Sequence, residues 1–173
     1  MSTIAESKRF QNTFAFVNKH LTAKDRILDL GVPNKLSGFL TDKGFNFTNT
    51  EGQDLDLDFE IVKTTEFDVV TAFEIFEHLV NPFSVLKNIA ARKIVVSVPL
   101  RLWFSPAYWS KTEPFDRHFH EFEPRQFDML LEKAGWTIKD SQKWKSYNPK
   151  QFGIRPILRR FTDRYYIVCA ERK

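Results

Sequence analysis

The chain has 173 residues, 42% hydrophobic and 15% aromatic, with a single cysteine, Cys169. That suffices for one domain with a real core; it excludes a disordered chain, two domains of ordinary size and a disulfide scaffold. The formal net charge is +4, no apolar run approaches the ~20 residues of a membrane helix, and the first nine residues lack an apolar signal core, so a cytoplasmic protein without membrane attachment is expected.

Phe10, Phe14 and Val17 recur at helical spacing and predict an amphipathic helix over residues 10–20. Residues 26–31, Arg-Ile-Leu-Asp-Leu-Gly, read as a short apolar strand stopped by a glycine, with a helix over 36–43 behind it. This is the opening of a nucleotide-binding α/β unit. A second strand over 45–50 ends at Glu51. Only 16 residues separate Glu51 from Asp68, too few for a full helix and another strand, so an abbreviated crossover is expected there. Within it Asp54, Asp56 and Asp58 alternate with other residues, as an acidic loop or a strand; the glycine and final glutamate of a calcium loop are out of register.

The most informative stretch is 67–82, Phe-Asp-Val-Val-Thr-Ala-Phe-Glu-Ile-Phe-Glu-His-Leu-Val-Asn-Pro. Val69 to Phe73 form an uninterrupted apolar run, the pattern of a strand buried on both faces. Glu74, Glu77 and His78 follow at offsets of three and four, a spacing at which one helical turn points all three the same way. Asn81 caps a helix that Pro82 opens, predicted over 82–91. At the carboxyl end of a strand in an open α/β sheet, such a polar cluster stands where ligands bind.

A further buried strand over 93–98 stops at Pro99. Residues 102–115 are rich in aromatics, have no consistent period and are broken by Pro106 and Pro114, which reads as a lid or substrate wall, or as a packed insertion. A helix over 124–134 is ended by Gly135. Strands over 136–143 and 165–170 complete the pattern, the second antiparallel, with residues 155–161 as a basic connecting segment. Arg155, Arg159, Arg160 and Arg164, with Lys139, Lys143, Lys145 and Lys150, make a surface able to attract an anionic substrate or nucleic acid; a solvated face is the plainer reading. Phe73 and Phe76 read as core, and His20 as a surface residue near a helix end.

Phe67-Asp68-x-Val70, Glu74-x-x-Glu77-His78 and Asn81-Pro82 together resemble the fourth-strand motif of class I S-adenosylmethionine-dependent methyltransferases. Within these they resemble the Glu-x-x-Glu-His group that includes ubiquinone-biosynthesis O-methyltransferases. His118, Phe122, Pro124, Leu131, Ala134, Gly135 and Trp136 extend the resemblance. It implies a single domain with a Rossmann-like, doubly wound, mostly parallel sheet of seven strands, or six if the third is lost. It further implies S-adenosylmethionine as cofactor, held by Asp29, Leu30, Gly31, Glu51, Asp54, Ala72 and Phe73, with Glu51 on the ribose hydroxyls and Asp54 in reserve. His78 and Glu77 are the implied catalytic residues, and His78 is the best base by intrinsic pKa. Glu74, Glu77, His78 and His118, with His120 as the alternative to His118, are similar to the magnesium site of small-RNA 2′-O-methyltransferases. The expected reaction is O-methylation of a small molecule. The family's glycine pattern survives at Asp29 and Gly31 but is replaced at Pro33 and Lys35, which leaves a second reading: a non-catalytic relative that keeps the fold and binds a partner. Modification of nucleic acid through residues 155–164 is a third.

Overall fold

The computed structural model describes residues 4–148 and 151–173. Four strands run parallel: the largely apolar β1 (Arg26–Asp29), β3 (Val69–Phe73) and β4 (Lys93–Pro99), and the polar edge strand β2 (Asn46–Asn49). Two longer strands, β5 (Trp136–Lys145) and β6 (Asp163–Arg172), run antiparallel. The order across the sheet is β2-β1-β3-β4-β6-β5, with β6 inserted between β4 and its own hairpin partner.

The interiors of the central strands β1, β3, β4 and β6 are apolar on both faces because both are covered. Ile27, Val69, Val95, Ile167 and Cys169 face one layer, where α1 (Ile4–His20) contributes Phe16 and Val17 and α2 (Lys35–Asp42) contributes Leu36 and Leu40. Their neighbours in sequence, Leu28, Val70, Ile94, Val96 and Val168, face the other layer. There α3 (Pro82–Asn88) packs through Leu86, and α4 (Pro124–Lys133) through Phe127 and Leu131. The period of two along each strand thus writes the two-layer wrapping directly into the sequence.

The sheet has six strands. Where the family's third strand would lie, residues 60–63 form one 3-10 turn that buries Val62, and the crossover is short as expected. Its carbonyl accepts the N–H of Ala90 at 2.8 Å, which draws the chain out of α3 at Asn88 rather than near residue 91. The expected basic connecting segment is instead a helix, α5 (Ile154–Phe161), with no buried residue. His20 is also more than a surface residue. It is half-buried, packs against Phe16 with ring centroids 4.7 Å apart and bonds Asp140 at 2.9 Å, so it ties α1 to β5. Among the described residues no helix is long and apolar enough to cross a membrane.

Candidate active site

The register of the parallel strands brings the carboxyl ends of β1 and β3 side by side. Asp29 stands opposite Asn49 and Thr71, and Leu30 N–H donates to Thr71 O at 2.8 Å, while Gly31 N–H donates to Thr50 Oγ1 at 2.7 Å. A cleft of about 190 Å³ opens at this rim, lined among others by Gly31, Gly52, Asp54, Ile75, His78 and Phe115. A neighbouring hollow of about 270 Å³ is lined by Arg9, Asn34, Lys35 and Phe73 among others.

Of the residues implied by the resemblance, Gly31 and Asp54 line the cleft and Phe73 the hollow. Glu51 is exposed and does not line the cleft; the chain has turned at Gly52, so the nearest carboxylate facing it belongs to Asp54. Leu30 and Ala72 bury their side chains in the core. Asp29 lies beneath the loop, 3% exposed, accepting from Thr71 Oγ1 at 2.6 Å and from Asn49 Nδ2 at 3.0 Å. Burial raises its carboxyl to about 7 against these two hydrogen bonds. Asp56, from the alternating acidic stretch, is occupied elsewhere: its carboxylate accepts from the N–H groups of Val80 and Asn81 at 2.7 and 2.8 Å, at the start of α3.

The loop after Gly31 differs from a glycine-rich one by changing shape. Gly31 itself has φ +137°, and no other described residue up to Gly44 has a positive φ, so neither Pro33 nor Lys35 occupies a conformation that needs glycine. Asn34 caps α2, its Oδ1 accepting from Leu36 N–H and Ser37 N–H at 2.8 and 3.2 Å, and Ser37 Oγ accepts the Asn34 N–H in return. Lys35 is then simply the first helical residue, turned toward Glu6 with Nζ to Oε1 at 3.4 Å. Sequence reading missed Gly52, which has φ +91° and where a Cβ would stand 2.9 Å from Val32 Cγ1; its only signal was a glycine directly after the second strand.

Beyond β3 the expected single helical turn is broken. Glu74 has φ +61°, its N–H donates to Ser97 O at 3.0 Å and its Oε1 accepts Ser97 Oγ at 2.9 Å, so its side chain is turned toward β4. A 3-10 turn, Phe76–His78, follows. Glu74 therefore leaves the expected four-residue cluster, and Glu77, His78 and His118 remain, with one ligand atom each, all within 4.8 Å of one another. His118 arrives from forty residues along the chain because its segment is fastened to that turn: Phe119 and His120 N–H both donate to Glu77 O, at 2.8 and 3.2 Å, and His78 Nδ1 donates to Arg117 O at 3.1 Å. His120, the alternative, points to Val80 O instead.

A carbonyl only accepts, so a neutral His78 carries its proton on Nδ1 and leaves the Nε2 lone pair free, 3.7 Å from Glu77 Oε1. His118 likewise bonds Glu121 Oε1 through Nδ1 at 2.9 Å. Burial pushes the His78 imidazole below its usual range, and the neighbouring His118 adds to this. Glu77 is 1% exposed and its Oε2 has no partner; burial, and then the charge of Glu74, drive its carboxyl well above the usual range. A buried carboxyl with one unpartnered oxygen, its other oxygen beside His78 and its ligand atoms gathered with those of two imidazoles, is a donor set that a divalent cation or a substrate proton satisfies.

A family model described as a methyltransferase domain matches residues 7–141. No curated protein sequence matches the chain. Solved structures with the same fold include 1,6-didemethyltoxoflavin-N1-methyltransferase of Burkholderia thailandensis, bound to 1,6-didemethyltoxoflavin and S-adenosylhomocysteine. It is 17% identical with a TM-score of 0.67, and the match covers 95% of this chain and 78% of that one. A putative methyltransferase of Haloferax volcanii, in complex with the Trm112 activator, is 13% identical, with a TM-score of 0.61 and coverage of 97% and 93%. A possible histamine N-methyltransferase of Thermotoga maritima is 13% identical, with a TM-score of 0.58 and coverage of 95% and 89%.

Proposed function

The chain belongs to the methyltransferase-domain family, the class I enzymes that use S-adenosylmethionine, and from that premise we propose that it methylates an oxygen of a small molecule held beside His78. The observation that carries this reading is the meeting of Glu77, His78 and His118 next to the cleft that opens at Gly31. Methyl transfer from a sulfonium needs alignment and, for a hydroxyl acceptor, removal of one proton. The free Nε2 of a neutral His78 accepts that proton, and the buried carboxyl of Glu77 stabilises the imidazolium that results. Gly31, Gly52 and Asp54 hold the nucleoside, with Asp54 in the ribose-binding role first expected of Glu51. Asp29 acts by fixing the loop, and Leu30 and Ala72 contribute through the backbone. Arg9 and Phe73 in the adjoining hollow face the amino-acid end of the cofactor, where the guanidinium complements its carboxylate.

A divalent cation fits the trio of Glu77, His78 and His118. Bound there, it would take up His78 Nε2 as a ligand in place of its role as base, and would instead polarise the acceptor oxygen and favour its alkoxide. With Glu74 turned away, two imidazoles and one carboxylate suit zinc or manganese better than magnesium. The preference for oxygen rests on the Glu-x-x-Glu-His resemblance, whereas two of the similar structures are named for nitrogen methylation.

Titration calorimetry with S-adenosylhomocysteine tests the premise: saturable binding is expected, and no heat at millimolar ligand sinks the enzymatic reading. Given binding, the position of the added methyl on products from a panel of hydroxylated and aminated small molecules, read by mass spectrometry, decides the acceptor atom. His78→Gln and Glu77→Gln should each keep S-adenosylhomocysteine affinity within about twofold and lower turnover by roughly 100-fold or more. Unchanged turnover removes both residues from the chemistry. Because His78 is held below its usual range, the acid limb of kcat/KM should have its midpoint below the ordinary imidazole value, and His78→Gln should abolish that limb.

A further inference from the structure

A second cleft, of about 230 Å³, lies next to the His118 side of the trio, between the aromatic loop and α5; Tyr108, Trp109, Glu121, Arg155, Arg159 and Arg164 line it. It connects to the trio through ring contacts: His78 to His118 at 5.0 Å between centroids, and His118 to Tyr108 at 5.2 Å. Three guanidinium groups thus meet a single carboxylate, and that carboxylate is already committed. Glu121 Oε1 accepts from Tyr108 N–H and His118, and Oε2 stands 3.9 Å from Arg164. Arg164 also donates to Leu100 O at 2.7 Å. Among the described residues Arg155 and Arg159 have no ion-pair partner, although as an i, i+4 pair on one helix face they repel each other.

The seating of α5 is the reverse of an ordinary surface helix. Ile154, Ile157 and Phe161 share a face turned to the open, at 79%, 59% and 74% exposure, while Arg155 and Arg159, exposed as well, and half-buried Leu158 share the side that lines the cleft. Apolar burial therefore does not explain why the helix sits this way. A pair of unneutralised guanidinium forks opposite two flat aromatic side chains is the complement of a planar molecule with an oxyanion at one end.

We propose that this cleft binds the anionic group, a carboxylate or a phosphate, of an aromatic methyl acceptor, and so sets the substrate class of the reaction. The proposal rests on the methyltransferase reading for the identity of the ligand, but the anion site is testable without it. The test is calorimetry on the full chain, with and without S-adenosylhomocysteine, using 3,4-dihydroxybenzoate, phenyl phosphate and the neutral catechol as probes. At least one anion should bind tenfold or more tighter than catechol and weaken as salt is raised; which of the two binds tighter separates carboxylate from phosphate. Arg155→Ala/Arg159→Ala should erase most of that tenfold preference and leave catechol and S-adenosylhomocysteine binding unchanged. The single Arg159→Gln variant, milder for the helix, should do the same in part. Equal affinity for catechol and both anions, no binding of either anion at millimolar concentration, or anion affinity unchanged in both variants overturns the proposal. If S-adenosylhomocysteine fails to bind while the anions still do, it is the methyltransferase reading that falls and the anion site stands.

Discussion

Asp29 shows how a residue can serve a site without entering it. Its carboxyl, raised to about 7 by burial, stays largely protonated in the folded state across a range where the unfolded chain, at about 3.9, is ionised. The sign follows: its contribution to stability is fully present below about pH 4 and is lost as pH rises through about 7, a swing on the order of 4 kcal/mol. Asp29→Asn removes that proton linkage, so its urea midpoint relative to the parent should climb between pH 4 and 8; a constant difference over that range contradicts the assignment. At this scale the sequence named candidate residues but could not aim them. Glu74 and Glu77 have the same chemistry, three positions apart, and only the positive φ of Glu74 sends one to Ser97 and leaves the other beside two histidines. No local pattern announces that torsion, because its cost, of order 1–3 kcal/mol, is met by contacts to another strand.

Among the elements, the loop from Gly31 to Asn34 is where the spacing of residues left two outcomes open, another shape or a decayed site. Pro33 and Lys35 look like damage to a glycine-rich turn, yet the capping box at Asn34 builds a different turn that asks for glycine once, at Gly31. The opposite wall makes its own demand: Gly52 combines φ +91° with a Val32 methyl 2.9 Å from where a Cβ would stand. Gly52→Ala should therefore displace Val32 or the turn, leaving a folded protein with S-adenosylhomocysteine affinity reduced roughly tenfold; calorimetry beside an unchanged circular dichroism spectrum is the check. Asn34→Ala should cost about 1 kcal/mol in urea unfolding through loss of the cap. The strands, α1 to α4 and their breakers were legible, because alternation, capping residues and Gly135 act within a few residues. Helix α5 was not, since its apolar face is exposed and its place depends on what it faces.

Across the whole molecule, one side chain holds two helices to the sheet. Arg172, near the end of β6, donates to Ala134 O at 2.9 Å and to Lys87 O at 2.8 Å, bonds Ile89 O as well, and lies over the Trp136 ring with 4.2 Å from Cζ to centroid. It therefore satisfies carbonyls at the C-terminal ends of both α3 and α4, groups that a helix leaves unpaired. Arg172→Ala should lower unfolding stability by about 2 kcal/mol, measured by urea denaturation, without changing S-adenosylhomocysteine affinity, since it lies at the opposite end of β4 from Ser97 and the site. By itself the sequence determined the doubly wound class, the short crossover and the strand edge at which polar residues gather, since period-two burial and strand-end motifs are local and each constrains its own neighbourhood. Tertiary structure alone decided that β6 lies between β4 and β5, that Glu74 turns away to Ser97 while Glu77 stays beside the histidines, and that Asp54 rather than Glu51 lines the cleft. These depend on which backbone groups find partners across the fold, and such pairing leaves no mark in the spacing of residues along the chain.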